Sequence, residues 1–98
     1  MFERNDHVEV IPSDSDRTLT LYQEVLGARP VSRIPIQGAS VTEIACVQLG
    51  DTVVEALNMP GAAPKPATPT VGYCSMALEV DSTDVAKTDL ADHGIAIT

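Results

Sequence analysis

Polar and apolar residues alternate near the start of the chain, and a helical pattern follows. In "HVEVI" (residues 7–11) the alternation is typical of a strand with one face in the core. The next stretch, "PSDSDRTLTLYQEVLG" (residues 12–27), has capping residues at its start, spaced apolar residues and a terminal glycine. It predicts a helix that ends at Gly27. The chain therefore opens with a strand followed by a helix.

Three further stretches rich in β-branched residues follow this helix. They are "RPVSRIPI" (29–36), "VTEIACVQLG" (41–50) and "TVVEALNM" (52–59). The dipeptide Gly50-Asp51 predicts a tight hairpin between the last two strands. With the strand and helix before them, these stretches predict a βαβββ module over residues 1–59.

A proline-rich segment separates this module from a second, similar pattern. "PGAAPKPATPT" contains four prolines among small residues, which excludes a regular helix or a central strand. Residues 60–71 are therefore predicted to be a linker. After it, "GYCSMALEV" predicts a strand, "DSTDVAKTDLADHG" predicts a helix, and "IAIT" predicts the start of another strand. Residues 72–98 are interpreted as the start of a second module.

The second pattern repeats the first. Aligning Ser75 with His7 also places Asp84 on Asp16. An internal repeat of this length indicates two copies of one supersecondary unit, neither of which buries its sheet face alone. By comparison with the first copy, the second lacks roughly two strands and part of a third. Whether the chain is a shortened gene product, a piece of a longer protein or a naturally short protein stays open at this point.

Composition and charge narrow the classes of partner. The chain has 14 acidic and 6 basic residues, and its formal net charge of -8 argues against nucleic acid or an anionic membrane as a partner. No signal peptide or membrane span is predicted, so a soluble cytoplasmic protein is expected. Cys46 and Cys74 lack the spacing of a zinc site and are interpreted as free, buried thiols.

Three stretches of the sequence carry a resemblance to a known superfamily. "HVEVIPSDSDRTLTLYQEVLGARPV", "VQLGDTVVEAL" and "GYCSMALEVDSTDVAKTDLADHGI" resemble the vicinal oxygen chelate superfamily. It includes glyoxalase I, bleomycin resistance proteins, fosfomycin resistance enzymes, methylmalonyl-CoA epimerases and extradiol dioxygenases. The resemblance implies an α+β fold in which βαβββ modules form a cupped mixed sheet with helices on its convex side.

The same resemblance implies a metal site. In this superfamily, side chains from the first and last strands of each module hold a divalent metal, and His7 and Glu55 fall on those two positions. Independently, the two-residue period of a strand places His7 and Glu9 on one face. We therefore predict His7 and Glu55 as metal ligands and Glu55 as the catalytic residue. The predicted cavity lining is Glu9, Val53, Leu57, Ser75 and Ala77.

The ligand set implied by the resemblance is incomplete within this chain. Ser75 stands where metal-binding members have histidine, and two protein ligands are fewer than the three that a tight zinc or nickel site needs. Two routes to further ligands stay open. A register slip would bring Cys74 into the site, or two chains would pair their first modules into a site of two histidines and two glutamates.

Two classes of function fit these observations. The first is a metal-dependent lyase, isomerase or dioxygenase that uses Zn, Ni, Mn or Fe. The second is a metal-free protein that sequesters a small molecule, as bleomycin resistance proteins do; a third reading is a truncated fragment of a metal-dependent enzyme. In each case the ligand is a small molecule. The uncovered sheet face predicts a homodimer, formed by exchange of modules or by pairing of first modules.

Overall fold

The computed structural model describes residues 1–73 and 75–95, which fall into two compact units, Met1–Ala63 and Pro64–Thr98. The helices and strands of the first unit are β1 (His7–Val10), α1 (Ser15–Thr20), a π-helical turn (Leu21–Val25), β2 (Arg29–Pro35), β3 (Glu43–Leu49) and β4 (Thr52–Asn58). The second unit contains α2 (Thr83–Asp92). This order confirms the α+β class and the βαβββ arrangement predicted for the first part of the chain.

The four strands form one mixed sheet in the order β1-β4-β3-β2. β1 pairs in parallel with β4, whereas β4 with β3 and β3 with β2 are antiparallel. A parallel pair needs a long connection between its strands, and α1, β2 and β3 supply it here. As a result, the first and last strands of the unit lie side by side.

A two-residue hairpin joins β3 to β4, as predicted. Leu49 pairs with Thr52 across the turn, and Gly50 has a φ of 62°. A positive φ at the first central residue is what a type II′ turn requires, and glycine adopts it without steric cost. The turn sets the register of the two strands, which places Cys46 opposite Glu55.

The core lies between α1 and one face of β3 and β4. Its buried residues are Leu19, Ala28, Ala45, Val47, Val54 and Ala56. On both strands the buried positions alternate with half-buried ones, as expected when one sheet face packs on a helix. This packing leaves the opposite face of the sheet without a helix from the first unit.

That opposite face is termed the site face. Cross-strand partners share a face, so the register assigns its members from β1, β3 and β4. They are His7, Glu9, Ile44, Cys46, Gln48, Val53, Glu55 and Leu57. The alternation of faces predicted for β1 is confirmed, because Val10 packs against the core while His7 and Glu9 are exposed.

The helix predicted for residues 12–27 forms in two parts. Asp14 caps α1 by accepting a hydrogen bond from the N–H of Arg17 at 3.1 Å. Beyond Thr20 the backbone widens into the π-helical turn, in which the N–H of Leu26 donates to the carbonyl of Leu21 at 3.0 Å. Gly27, with a φ of 76°, ends the segment as predicted.

The second unit contains the predicted helix between residues 81 and 94. The side chain of Ser82 accepts a hydrogen bond from the N–H of Val85 at 3.3 Å and so caps α2. At its other end His93 Nδ1 lies 2.8 Å from the carbonyl oxygen of Asp89. Among the described residues, none of the helices is long and apolar enough to cross a membrane.

The strand predicted over residues 72–80 is not found in the described part of that range, 72–73 and 75–80. A strand needs a partner for its backbone hydrogen bonds, and the described part of the second unit contains no other strand. The proline-rich segment has neither helix nor strand, as predicted. Cys74 and most of the last predicted strand, residues 96–98, lie outside the described residues.

Candidate metal and ligand site

Three side chains that bind metals well meet on the site face, where β1 lies beside β4. His7, Glu9 and Glu55 each offer one donor atom, and these atoms all lie within 4.8 Å of one another. His7 and Glu9 are two residues apart on β1, and Glu55 is the β4 partner of Glu9. Residues two apart on a strand share a face, and paired residues lie side by side. The pairing register of β1 and β4 therefore brings these three side chains together.

His7 is oriented by the residue before it. Its Nδ1 lies 3.1 Å from Oδ2 of Asp6, and since a carboxylate only accepts, Nδ1 is the donor. Asp6 is itself held by Arg4 at 3.0 Å, and Arg4 also donates to the carbonyl of Asp51. The hydrogen bond from Nδ1 to Asp6 leaves the other ring nitrogen of His7, Nε2, facing Glu9. A carboxylate bonded to one ring nitrogen is the usual way in which a metal-binding histidine is positioned.

The surroundings of His7 are acidic. The hydrogen bond to Asp6 is the largest cause of a pKa of His7 above its ordinary value; desolvation opposes it, and the negative charge of Glu55 raises the pKa further. Among the described residues, neither Glu9 nor Glu55 forms an ion pair with a lysine or arginine. The cluster therefore carries uncompensated negative charge, which attracts cations.

The cluster borders an apolar area of the same face. Glu55 is half-buried between Val53 and Leu57 on β4, and Leu57 pairs with Ile44 of β3. Small-molecule sites typically combine a few polar groups with an apolar surface. The site face offers both within the first unit.

Of the predicted site residues, the structure brings His7, Glu9 and Glu55 together and places Val53 and Leu57 on the same face. Sequence reasoning assigned Glu9 to the cavity lining only, and missed that its carboxylate joins the ligand cluster. The signal that points to it is its two-residue spacing from His7.

Other predicted residues lie elsewhere. Ser75 and Ala77 are exposed residues of the second unit, in a segment without helix or strand, so their role in the cavity stays a prediction. Cys46 has a free thiol, as predicted, but is half-buried rather than buried. Cys74 lies outside the described residues, so the register slip that would bring it into the site stays a prediction.

A separate pocket of about 220 Å³ lies between the helix and strands β2 and β3, with Leu19, Gln23 and Arg33 in its lining. It contains none of the three clustered ligand residues. The guanidinium of Arg33 already bonds Asp16 at 2.6 Å and Glu43 at 2.8 Å, so its charge is matched. The clustered imidazole and carboxylates are therefore on the site face and not in this pocket.

Comparison with known proteins places the chain in a family. A sequence model of the Glyoxalase/Bleomycin resistance protein/Dioxygenase superfamily matches residues 4–98. No curated protein sequence matches the chain at a significant level.

Several solved structures are similar. A glyoxalase family protein from Enterococcus faecalis superposes with a TM-score of 0.84 at 20% identity, over 95% of this chain and 74% of that one. The fosfomycin resistance protein FosX from Mesorhizobium loti has a TM-score of 0.68 at 19% identity, over 96% and 72% of the two chains. A mutant FosX from Listeria monocytogenes, complexed with Mn(II) and 1S,2S-dihydroxypropylphosphonic acid, has a TM-score of 0.72 at 11% identity, over 100% and 75%. These likenesses show the shared fold.

Proposed function

The chain belongs to the glyoxalase/bleomycin resistance protein/dioxygenase superfamily, and from this membership we propose that it binds a small molecule on the site face with a divalent metal ion. The proposed reaction is that of a metal-dependent lyase or isomerase, or of a dioxygenase. The observation that carries the proposal is the meeting of an imidazole and two carboxylates, with donor atoms within 4.8 Å of one another. One solved structure of similar fold is a complex with Mn(II), which supports the choice of cofactor.

The donor set suits such a metal. Imidazole nitrogen and carboxylate oxygen bind Zn, Ni, Mn and Fe, and we assign His7 and Glu55 as ligands. An ion with bonds of about 2.1 Å joins donors up to about 4.2 Å apart, so the observed separations need only small side-chain movements. A bound divalent cation would polarise the oxygens of a substrate that carries two neighbouring oxygen atoms.

Glu55 is the proposed catalytic residue. Its carboxylate is half-buried beside the apolar area and pairs with neither lysine nor arginine among the residues that the structure describes. A carboxylate placed in this way accepts a proton from a carbon next to a carbonyl group. The apolar neighbours Val53 and Leu57 hold the carbon skeleton of the substrate and limit the access of water.

A second candidate function is metal-free sequestration of a small molecule. Two observations favour it: Ser75 occupies the third ligand position expected from the resemblance, and the site face has an apolar area that includes Ile44 and Leu57. An aromatic or drug-like ligand would bind there by burial of its apolar surface. In this case the chain acts as a resistance-type binding protein and not as an enzyme.

The oligomeric state and the cellular location of the chain are also proposals. The apolar part of the site face is only half-buried, and apolar sheet faces that are incompletely covered commonly mark subunit contacts. We propose a homodimer on this ground. The cytoplasmic location expected from the sequence stays a prediction.

Metal analysis tests the proposed function. Protein purified without an affinity tag is expected to bind one divalent ion per chain, and His7→Ala is expected to lose it. His93→Ala is the matched control, because His93 lies at the end of α2 in the second unit. Absence of metal in the unmodified protein, together with thermal stabilisation by an aromatic ligand, would favour sequestration. A metal content unchanged by His7→Ala would contradict the assigned site.

A further inference from the structure

We propose that Glu9 is a third protein ligand, so that His7, Glu9 and Glu55 of one chain bind a divalent cation without a ligand from the second unit or from another chain. The inference rests on the proposed metal site and extends it, because the family resemblance accounts for His7 and Glu55 only. It removes the shortage of ligands within the first module, since three protein ligands are the number found in many catalytic metal sites.

The backbone places Glu9 between the other two ligands. It follows His7 by two residues on β1, and the parallel register aligns it with Glu55 on β4. Both relationships put its side chain on the site face. All three donors therefore project from one side of the sheet.

The donor atom of Glu9 is available for a metal. Its Oε1 lies 3.6 Å from Nε2 of His7, which is longer than a hydrogen bond between nitrogen and oxygen. Among the described residues, Glu9 has no lysine or arginine partner. His7 is oriented through its other ring nitrogen by Asp6. The imidazole and the carboxylate form an ion pair when the ring is protonated, and a metal ion bound at Nε2 would take the place of that proton.

The charges of the three groups also match a divalent cation. A metal-bound histidine is neutral, and two ionised carboxylates carry two negative charges, which equal the charge of the ion. With Glu55 and His7 alone, half of that charge would be uncompensated by the protein. The side chain of Glu9 is 55% exposed, so it can adjust its position toward an ion without disturbing the core.

Titration of the full chain with Mn²⁺, followed through the electron paramagnetic resonance signal of the free ion, tests the inference. Glu9→Gln is expected to raise the Kd for Mn²⁺ about tenfold or more, because it removes a charged donor. Glu9→Asp keeps the charge but shortens the side chain, so it is expected to weaken binding as well. Glu24→Gln is the charge-matched control, because Glu24 is exposed on the π-helical turn, and its Kd is expected to equal that of the unmodified chain.

The outcomes separate this inference from the proposed function. If His7→Ala and Glu55→Gln abolish Mn²⁺ binding while Glu9→Gln leaves the Kd unchanged, Glu9 is not a ligand and the proposed function stands. If the unmodified chain fails to bind Mn²⁺ at millimolar concentration, the proposed metal site fails and the inference fails with it. Circular dichroism of each variant checks that it is folded.

Discussion

Oδ2 of Asp6 lies 3.1 Å from Nδ1 of His7, and this contact decides which ring nitrogen faces Glu9. Neighbours within a strand point to opposite faces, but Asp6 precedes β1 and is therefore not bound by that alternation. Its carboxylate can reach the imidazole of the next residue. Two consecutive residues thereby supply both a candidate ligand and the group that orients it.

Replacing Asp6 with asparagine is expected to lower the pKa of His7, because the hydrogen bond to the Asp6 carboxylate is the largest cause of its raised value. The pKa is measured from the pH dependence of the His7 ring proton signals in NMR spectra. Asp51→Asn is the control, since Asp51 contacts Arg4 only through its backbone carbonyl. An unchanged pKa of His7 in Asp6→Asn would show that Asp6 does not control the protonation of the ring.

The raised pKa of His7 makes stability depend on pH. Because the folded chain binds this proton more tightly than the unfolded chain, the stabilisation is complete below the unfolded-state pKa of about 6.5. It is lost as the pH rises through the higher folded-state pKa. Urea denaturation in the presence of a chelator is expected to show a larger loss of stability, as the pH rises above about 6.5, for the unmodified chain than for His7→Gln. Equal losses would contradict the expectation.

Leu19 connects α1 to the sheet, and its truncation is expected to destabilise the fold. The side chain of Leu19 is 4% exposed, and the other buried core residues are alanines and valines. Leu19→Ala should lower the free energy of unfolding by about 2 to 4 kcal/mol, since it removes buried methyl groups and leaves a cavity. Ile34→Ala is the control because Ile34 on β2 is 52% exposed. Urea denaturation measures both variants, and a smaller loss for Leu19→Ala than for Ile34→Ala would contradict this account of the core.

The proposed homodimer is expected to depend on the apolar part of the site face. Light scattering with size exclusion should give a dimer mass for the unmodified chain at micromolar concentration. Leu57→Lys places a charge in that area and should shift the mass to that of a monomer. Val85→Lys on α2, where Val85 is 68% exposed, should leave the mass unchanged. A monomeric mass for the unmodified chain would contradict the dimer.

Local patterns predicted most elements of the first unit within one or two residues of their observed ends. β4, for example, was expected over residues 52–59 and is found at Thr52–Asn58. Alternation of polar and apolar residues, a capping aspartate and glycines with positive φ act over short distances, so the sequence displays them directly. The strand expected over residues 72–80 did not form in the described residues because a strand depends on a partner that local sequence does not reveal.

The candidate site likewise depends partly on local sequence and partly on tertiary structure. By itself, the sequence determined that His7 and Glu9 share one face of their strand and that Gly50 turns the chain between the last two strands, because both follow from backbone geometry over a few residues. Only the tertiary structure decided that β1 lies parallel to β4 with Glu9 beside Glu55. Pairing between distant strands is chosen by packing of the whole unit, since many registers satisfy the local pattern equally well. That choice places Glu9 in the ligand cluster.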